Sequence, residues 1–236
     1  DGKDVKFVLY LLDAMPPCFV DKEFSEFNTT EALLNNDVFP KFIKQDTCVY
    51  DGDDMAWMAM EWIEGIKLSE WITKNGGIKA DVALPLFKEI LLGAKDIVWQ
   101  TNGGGHYNLT PDNIIITEND GELLHAHIIG LEHAAGQCGG STPFDVKTIS
   151  PFYRAPETFM GRFNQVSDIY SLGILLAYML QGRYPWEVDT KCEGSFLEQR
   201  KQAAFVLDIP EPYEKIVNKC IATKPSGRYV NIDELI

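Results

Sequence analysis

The sequence predicts an α+β fold in which a small, mostly β N-terminal part precedes a larger, mostly helical part. Three observations lead there. Runs rich in apolar and β-branched residues at Val5–Leu12 and Met55–Trp62 have the composition of strands. Farther along, Leu84, Phe87, Ile90, Leu91, Ala94 and Val98 recur at helical spacing. With 236 residues, 45% of them hydrophobic, the chain can bury one large core or the cores of two closely joined lobes.

The strand Val5–Leu12 is broken by Pro16-Pro17, and a helix is expected over about Lys22–Leu34, with Leu33 and Leu34 on its apolar side. Phe39–Ile43 and Thr47–Tyr50 read as two short strands. The acidic stretch Asp51-Gly52-Asp53-Asp54 is a hairpin signal ahead of the strand Met55–Trp62. Leu68–Lys74 reads as a short helix stopped by Asn75-Gly76-Gly77. Asp81 is the expected N-cap of the next helix, which runs to about Trp99 and places Pro85 near its first turn, where proline is tolerated. Gly103-Gly104-Gly105 lacks the Lys-Ser/Thr of a phosphate loop and reads as a turn into His106. A strand is expected at His125–Ile129. Ile169–Leu180 is apolar but too short to span a bilayer, so it is expected as a buried core helix. Ser167 and Asp168 are candidates to cap it.

Composition excludes several classes. The formal net charge is -14, which opposes binding to phosphate backbones or to an anionic membrane surface. Cys18, Cys48, Cys138, Cys192 and Cys220 are scattered and include no Cys-x-x-Cys pair. That pattern argues against a disulfide framework or zinc ribbon and for a reducing, cytoplasmic compartment. No signal peptide opens the chain and no membrane insertion is expected.

One stretch organises the functional reading: His106-Tyr107-Asn108-Leu109-Thr110-Pro111-Asp112-Asn113, succeeded by Ile114-Ile115-Ile116. It resembles the catalytic loop of protein kinases, His-Arg-Asp-Leu-Lys-Pro-x-Asn, with a short strand after it. Met58-Ala59-Met60-Glu61-Trp62-Ile63-Glu64-Gly65 is similar to the kinase hinge. Ser150-Pro151-Phe152-Tyr153-Arg154-Ala155-Pro156-Glu157 resembles the end of an activation segment. Ser167-Asp168-Ile169-Tyr170-Ser171-Leu172-Gly173, with Tyr184-Pro185-Trp186 after it, resembles the central helix of the large lobe, and Arg228 stands where the family keeps an Arg. The resemblance implies a bilobal protein-kinase-like fold. Residues 1–64 would form an apparently truncated N-terminal lobe with the hinge, and residues 65–236 the helical lobe. It further implies adenine-binding backbone groups at Glu61 and Ile63, with Met60 guarding the inner pocket. His106 would be a packing histidine, Asp168 would accept hydrogen bonds from the catalytic-loop backbone, and Glu157 would pair with Arg228.

The same resemblance exposes departures. Phosphoryl transfer from ATP relies on positioning and on charge around the phosphates. The family's catalytic Asp is Asn108, which has the shape but not the basicity. The metal-binding Asp of Asp-Phe-Gly is Gly130 of Gly130-Leu131-Glu132, and the Lys of the catalytic loop is Thr110. The best register puts Tyr10 at the strand Lys, with Lys6 the other candidate, and its helix partner is Glu26 or Glu31. Few residues precede that strand, leaving no room for a glycine-rich hairpin. Asn113 remains as a neutral metal ligand. Glu132 is a candidate substitute carboxylate, and Asp112 is a further one, usually turned away in the family. His106, His125, His127 and His133 lie near one another in the sequence and are candidates for a zinc site, although packing accounts better for His106.

Two functions are expected from these residues. The first is a catalytically inactive pseudokinase, not an enzyme, with no cofactor and with weak or absent ATP and magnesium binding. It would act as a signalling scaffold on another protein or on other domains of its own polypeptide, and not on nucleic acid. The alternative is a variant active phosphotransferase with a non-standard metal site, acting on a protein or, like the aminoglycoside phosphotransferases, on a small molecule.

Overall fold

The first sheet is antiparallel, with strands β1 (Val5–Leu11), β2 (Phe42–Tyr50) and β3 (Asp53–Glu61) in the order β1-β3-β2. The computed structural model describes residues 5–11, 36–119, 122–131, 134, 149–187, 198 and 205–236. The expected helix near residues 22–34 lies outside them. β2 is one strand where two were expected. The polar residues between the two expected strands belong to β2 because it is the edge of this sheet, where polar residues are normal, and a bulge between Phe42 and Lys44 keeps it paired to β3. Asp51 and Gly52 both take positive φ, 53° and 92°, which is the two-residue hairpin geometry.

Between the sheets the segment 36–39 is tied down. Asn36 bonds Asp96 through its side-chain amide, and Ile128 N donates to Val38 O at 2.7 Å. Phe39, expected in a strand, is instead a core residue with 2% exposure.

The second sheet, also antiparallel, has the order β4 (Ile66–Lys67), β5 (Ile114–Asn119) and β6 (Glu122–Ile128). It packs with the helices. α1 spans Leu68–Asn75 and α2 spans Ala80–Gln100. Ala83, Leu86, Phe87, Ile90, Leu91, Ala94 and Ile97 of α2 are buried, the stripe that helical period 3.6 produces. Asp81 is not the cap: Lys79 precedes the helix without a side-chain bond, and Asp81 lies in the first turn, where a carboxylate favours the helix dipole. Pro85 consequently falls inside the helix, on an exposed position.

α3 (Gln165–Gln181) is the centre of the core, with Ser167 through Ala177 all buried. Its cap is Asn164, whose side chain accepts from Val166 N at 2.9 Å. Ser167 and Asp168 therefore sit inside the first turn, where their side chains bond elsewhere. α4 (Tyr213–Cys220) packs on α3, burying Val217 and Cys220. No helix among the described residues is long and apolar enough to cross a membrane.

Candidate active site around the His106–Asn113 loop

The loop connects α2 to β5 and is anchored from beneath by α3. His106 N donates to Asp168 Oδ2 at 2.7 Å, and Tyr107 N donates to Asp168 Oδ1 at 2.9 Å. Asp168 has no solvent exposure. The glycines before the loop serve this approach: a Cβ on Gly105 would stand 2.5 Å from Asp168 Oδ2. Burial pushes the Asp168 carboxyl up to about 7, against the pull of its two N–H donors. Tyr107 takes the left-handed conformation, φ 62°, which turns its ring into an edge contact with Phe163 at 5.2 Å. Burial, and next the Asp168 charge, push its phenol far above the usual range.

His106 is fully buried and ties the loop to the turn after β6. Its Nε2 bonds Ile129 O at 3.0 Å, and its Nδ1 accepts from Asn108 N at 3.2 Å. One neutral tautomer, with the proton on Nε2, makes both bonds.

The other end of the loop carries the changed positions. Asn108 is half-buried, and its Oδ1 accepts from Ser150 N at 3.2 Å. The carbonyl keeps a second lone pair for an acceptor hydroxyl, but it cannot take up the proton. Thr110 is buried and presents no charge. Asn113 Nδ2 donates to Asn108 O at 2.8 Å. Gly130 lies against Asn113 at φ 78°: a Cβ there would be 2.8 Å from both Asn113 Cγ and Oδ1. Among the described residues no group of three His, Cys, Asp or Glu side chains could hold a metal. A magnesium ion seeks several oxygens, usually with carboxylates. The described residues at positions 108, 113 and 130 offer neutral amides and a glycine, which do not fit it.

Away from the loop, Arg228 meets Glu157 as a fork, Nη1 to Oε1 at 2.7 Å and Nη2 to Oε2 at 2.8 Å, both residues buried. Ser167 Oγ adds a third donor to Glu157 at 2.9 Å. Burial raises the Glu157 pKa, but the Arg228 hydrogen bonds and charge outweigh it, so the carboxyl lies below its ordinary value. Glu61 ends β3, its N–H donating to Lys41 O at 2.8 Å; Ile63 follows, half-buried, and Met60 is buried. Tyr10 and Lys6 are in β1, opposite Ala56 and Met60. Asp112 is exposed and accepts from Ser69 Oγ at 2.6 Å. His125 Nδ1 bonds Glu89 Oε1 at 3.0 Å, whereas His106 bonds Ile129 O and Asn108 N, and among the described residues no three histidines or other ligand types come together. Burial lowers the His127 pKa. Glu26, Glu31, Glu132 and His133 lie outside the described residues.

Two participants were not foreseen. Ser150 N holds the Asn108 carboxamide, a backbone role that no side-chain pattern announces. The contact between Asn113 and Gly130 had one available signal, a glycine directly after a strand, which often marks close approach of another group.

The sequence matches the protein kinase domain over residues 21–235. The chain belongs to the protein kinase family. It is 30% identical over 196 residues to a probable serine/threonine-protein kinase of Clostridium acetobutylicum, covering 79% of this chain and 28% of that protein. It is 24% identical over 189 residues to the probable serine/threonine-protein kinase PknB of Lactococcus lactis, covering 78% of this chain and 29% of that protein. The chain thus spans under a third of the length of these relatives. Among solved structures it resembles the Rad53 kinase domain and SCD2 in complex with AMPPNP, with a TM-score of 0.67 and 18% identity over 99% of this chain and 80% of that one. The kinase-like α+β fold is therefore as expected. The expectation that the chain is not an enzyme is overturned: it is a kinase-family domain whose relatives are named as serine/threonine-protein kinases. The losses at positions 108, 110 and 130 do not decide the matter, because they alter side chains while the bonds from His106 and Tyr107 to Asp168 and from His106 to Ile129 O are present.

Proposed function

We propose that this domain is a serine/threonine-kinase-type phosphotransferase of variant chemistry, with another protein or another part of its own polypeptide as acceptor. The observation that carries this is the pair of N–H bonds from His106 and Tyr107 to Asp168, which holds Asn108 at the mouth of the loop beside Ser150. Nucleotide would lie along the hinge at Glu61 and Ile63, between lobes divided near residue 64. The AMPPNP named with the similar Rad53 structure favours this over the expected weak or absent binding. Phosphoryl transfer has a loose transition state that asks mainly for positioning. Asn108 Oδ1 would orient the acceptor hydroxyl by accepting its hydrogen bond, and the hydroxyl proton would pass, as the new O–P bond forms and the bond to ADP breaks, to an oxygen of the transferred phosphoryl group or to water. A protein acceptor is favoured over a small molecule by the block from Tyr153 to Glu157 and its bonded Arg228, which small-molecule kinases of related fold generally lack.

The test is radiolabel transfer from ATP to generic acceptor proteins and to the chain itself. The expected result is slow transfer, about 10²–10⁴-fold below that of a site with a general base, and lost in Asn108→Ala. No transfer above background, with no melting shift on ATP addition, would overturn the reading.

A further inference from the structure

We propose that this site takes its nucleotide without a divalent ion at the position of Asn113 and Gly130, and that Asn113 is a positioning residue there. The proposal rests on the nucleotide-binding reading above and concerns what accompanies the nucleotide. Three features converge on it.

The first is space. At φ 78° a Cβ on residue 130 would stand 2.8 Å from Asn113 Cγ and Oδ1 and 3.0 Å from Nδ2. The whole carboxamide fills the room in which a metal-binding side chain would begin.

The second is immobility of the backbone. Ile129 N donates to Asn113 O at 2.9 Å, and His106 Nε2 donates to Ile129 O at 3.0 Å. Ile129, the residue next to Gly130, is therefore held through both its N–H and its carbonyl, which opposes retreat of the backbone from Asn113.

The third is the donor inventory of Asn113. Its Nδ2 is committed to Asn108 O at 2.8 Å, which fixes the orientation of the amide. One neutral oxygen remains, 2.8 Å from where a Cβ on residue 130 would stand. A hard divalent cation gains little from one uncharged oxygen. Gly130 and Asn113 explain each other: the glycine permits the contact, and the contact locks the loop at Asn108.

The experiment is an ATP titration of the full chain followed by melting shift, in EDTA, in excess magnesium and in excess manganese. The expected apparent dissociation constants agree within about twofold across the three. Tightening of about tenfold or more by either metal would overturn the proposal, and its loss in Glu132→Gln would assign the ligand. Asn113→Ala should weaken ATP equally in EDTA and in magnesium, whereas weakening confined to magnesium marks a metal ligand and also overturns it. No shift under any condition sinks the nucleotide reading and this proposal with it, an outcome distinct from metal dependence. A nucleotide-free arm tests the contact itself. Gly130→Ala should lower Tm more in the parent than in the Asn113→Ala background, and strict additivity would count against the positioning role.

Discussion

The two ends of the His106–Asn113 loop are built on different principles. At the His106–Tyr107 end, the bonds are backbone N–H groups donated to a buried carboxylate, and His106, Tyr107 and Asp168 are all buried. At the Asn108–Asn113 end the two half-buried amides are neutral: Asn113 bonds the Asn108 carbonyl, and the Asn108 side chain accepts from Ser150 N. The first end depends on the Asp168 carboxylate and on the His106 imidazole, which bonds Ile129 O and Asn108 N. The second depends on side chains throughout. The contrast shows how a fold keeps its frame while the residues that touch substrate change: backbone donors do not care what is attached at positions 108, 110 or 130.

The comparison can be broken most forcefully at Asp168. Asp168→Ala leaves two buried N–H groups unbonded, at about 1–3 kcal/mol each. A denaturant melt should show the loss, and a variant as stable as the parent would mean that water replaces the carboxylate. Arg228→Ala comes next. It strands Glu157 in a buried position, for a loss of roughly 3–5 kcal/mol, and a melting point within a degree of the parent would contradict the buried pair. At the other end, Gly130→Asp should cost about 1–3 kcal/mol by overpacking against Asn113, without needing any charge effect. Gly130→Asp melting no lower than the parent would show that the turn gives way.

The mildest perturbation is pH. The Asp168 pKa is raised from 3.8 to about 7. Folding then takes up a proton between those values. Its contribution is full below the unfolded pKa and is lost as pH rises through 7. Glu157 runs the other way, since its folded pKa is depressed: its contribution is present above the unfolded value and fades as pH falls. Melting curves from pH 5 to 8 should decline more steeply for the parent than for Asp168→Asn. Parallel curves would show that Asp168 stays ionised throughout.

Much of this was legible in the sequence, but unevenly. α2 could be read from its apolar period, since a long amphipathic stripe leaves little ambiguity. β2 was read as two strands because a sheet edge carries polar residues in mid-strand, and edge position is a tertiary property. The cap of α3 was misplaced by several residues because Asn164, Ser167 and Asp168 are all capping types, and only the backbone decides among them. Glu157 and Arg228 are 71 residues apart in sequence, and family resemblance alone suggested their pairing. The Asn113–Gly130 contact could not be read, because it depends on the φ of a turn and on two hydrogen bonds from elsewhere. The expectation of an inactive domain failed for another reason. It rested on the missing side chains, whereas the chain matches the protein kinase domain and its relatives are named as serine/threonine-protein kinases.

The bond from Ile128 N to Val38 O, with Asn36 fastened to Asp96, gives the first sheet a second attachment besides the chain crossing from Glu61 to Ile66. Any movement of the first sheet relative to the helices would pivot on these two bonds, and loosening the Asn36 bond would let the sheet slide as well as turn.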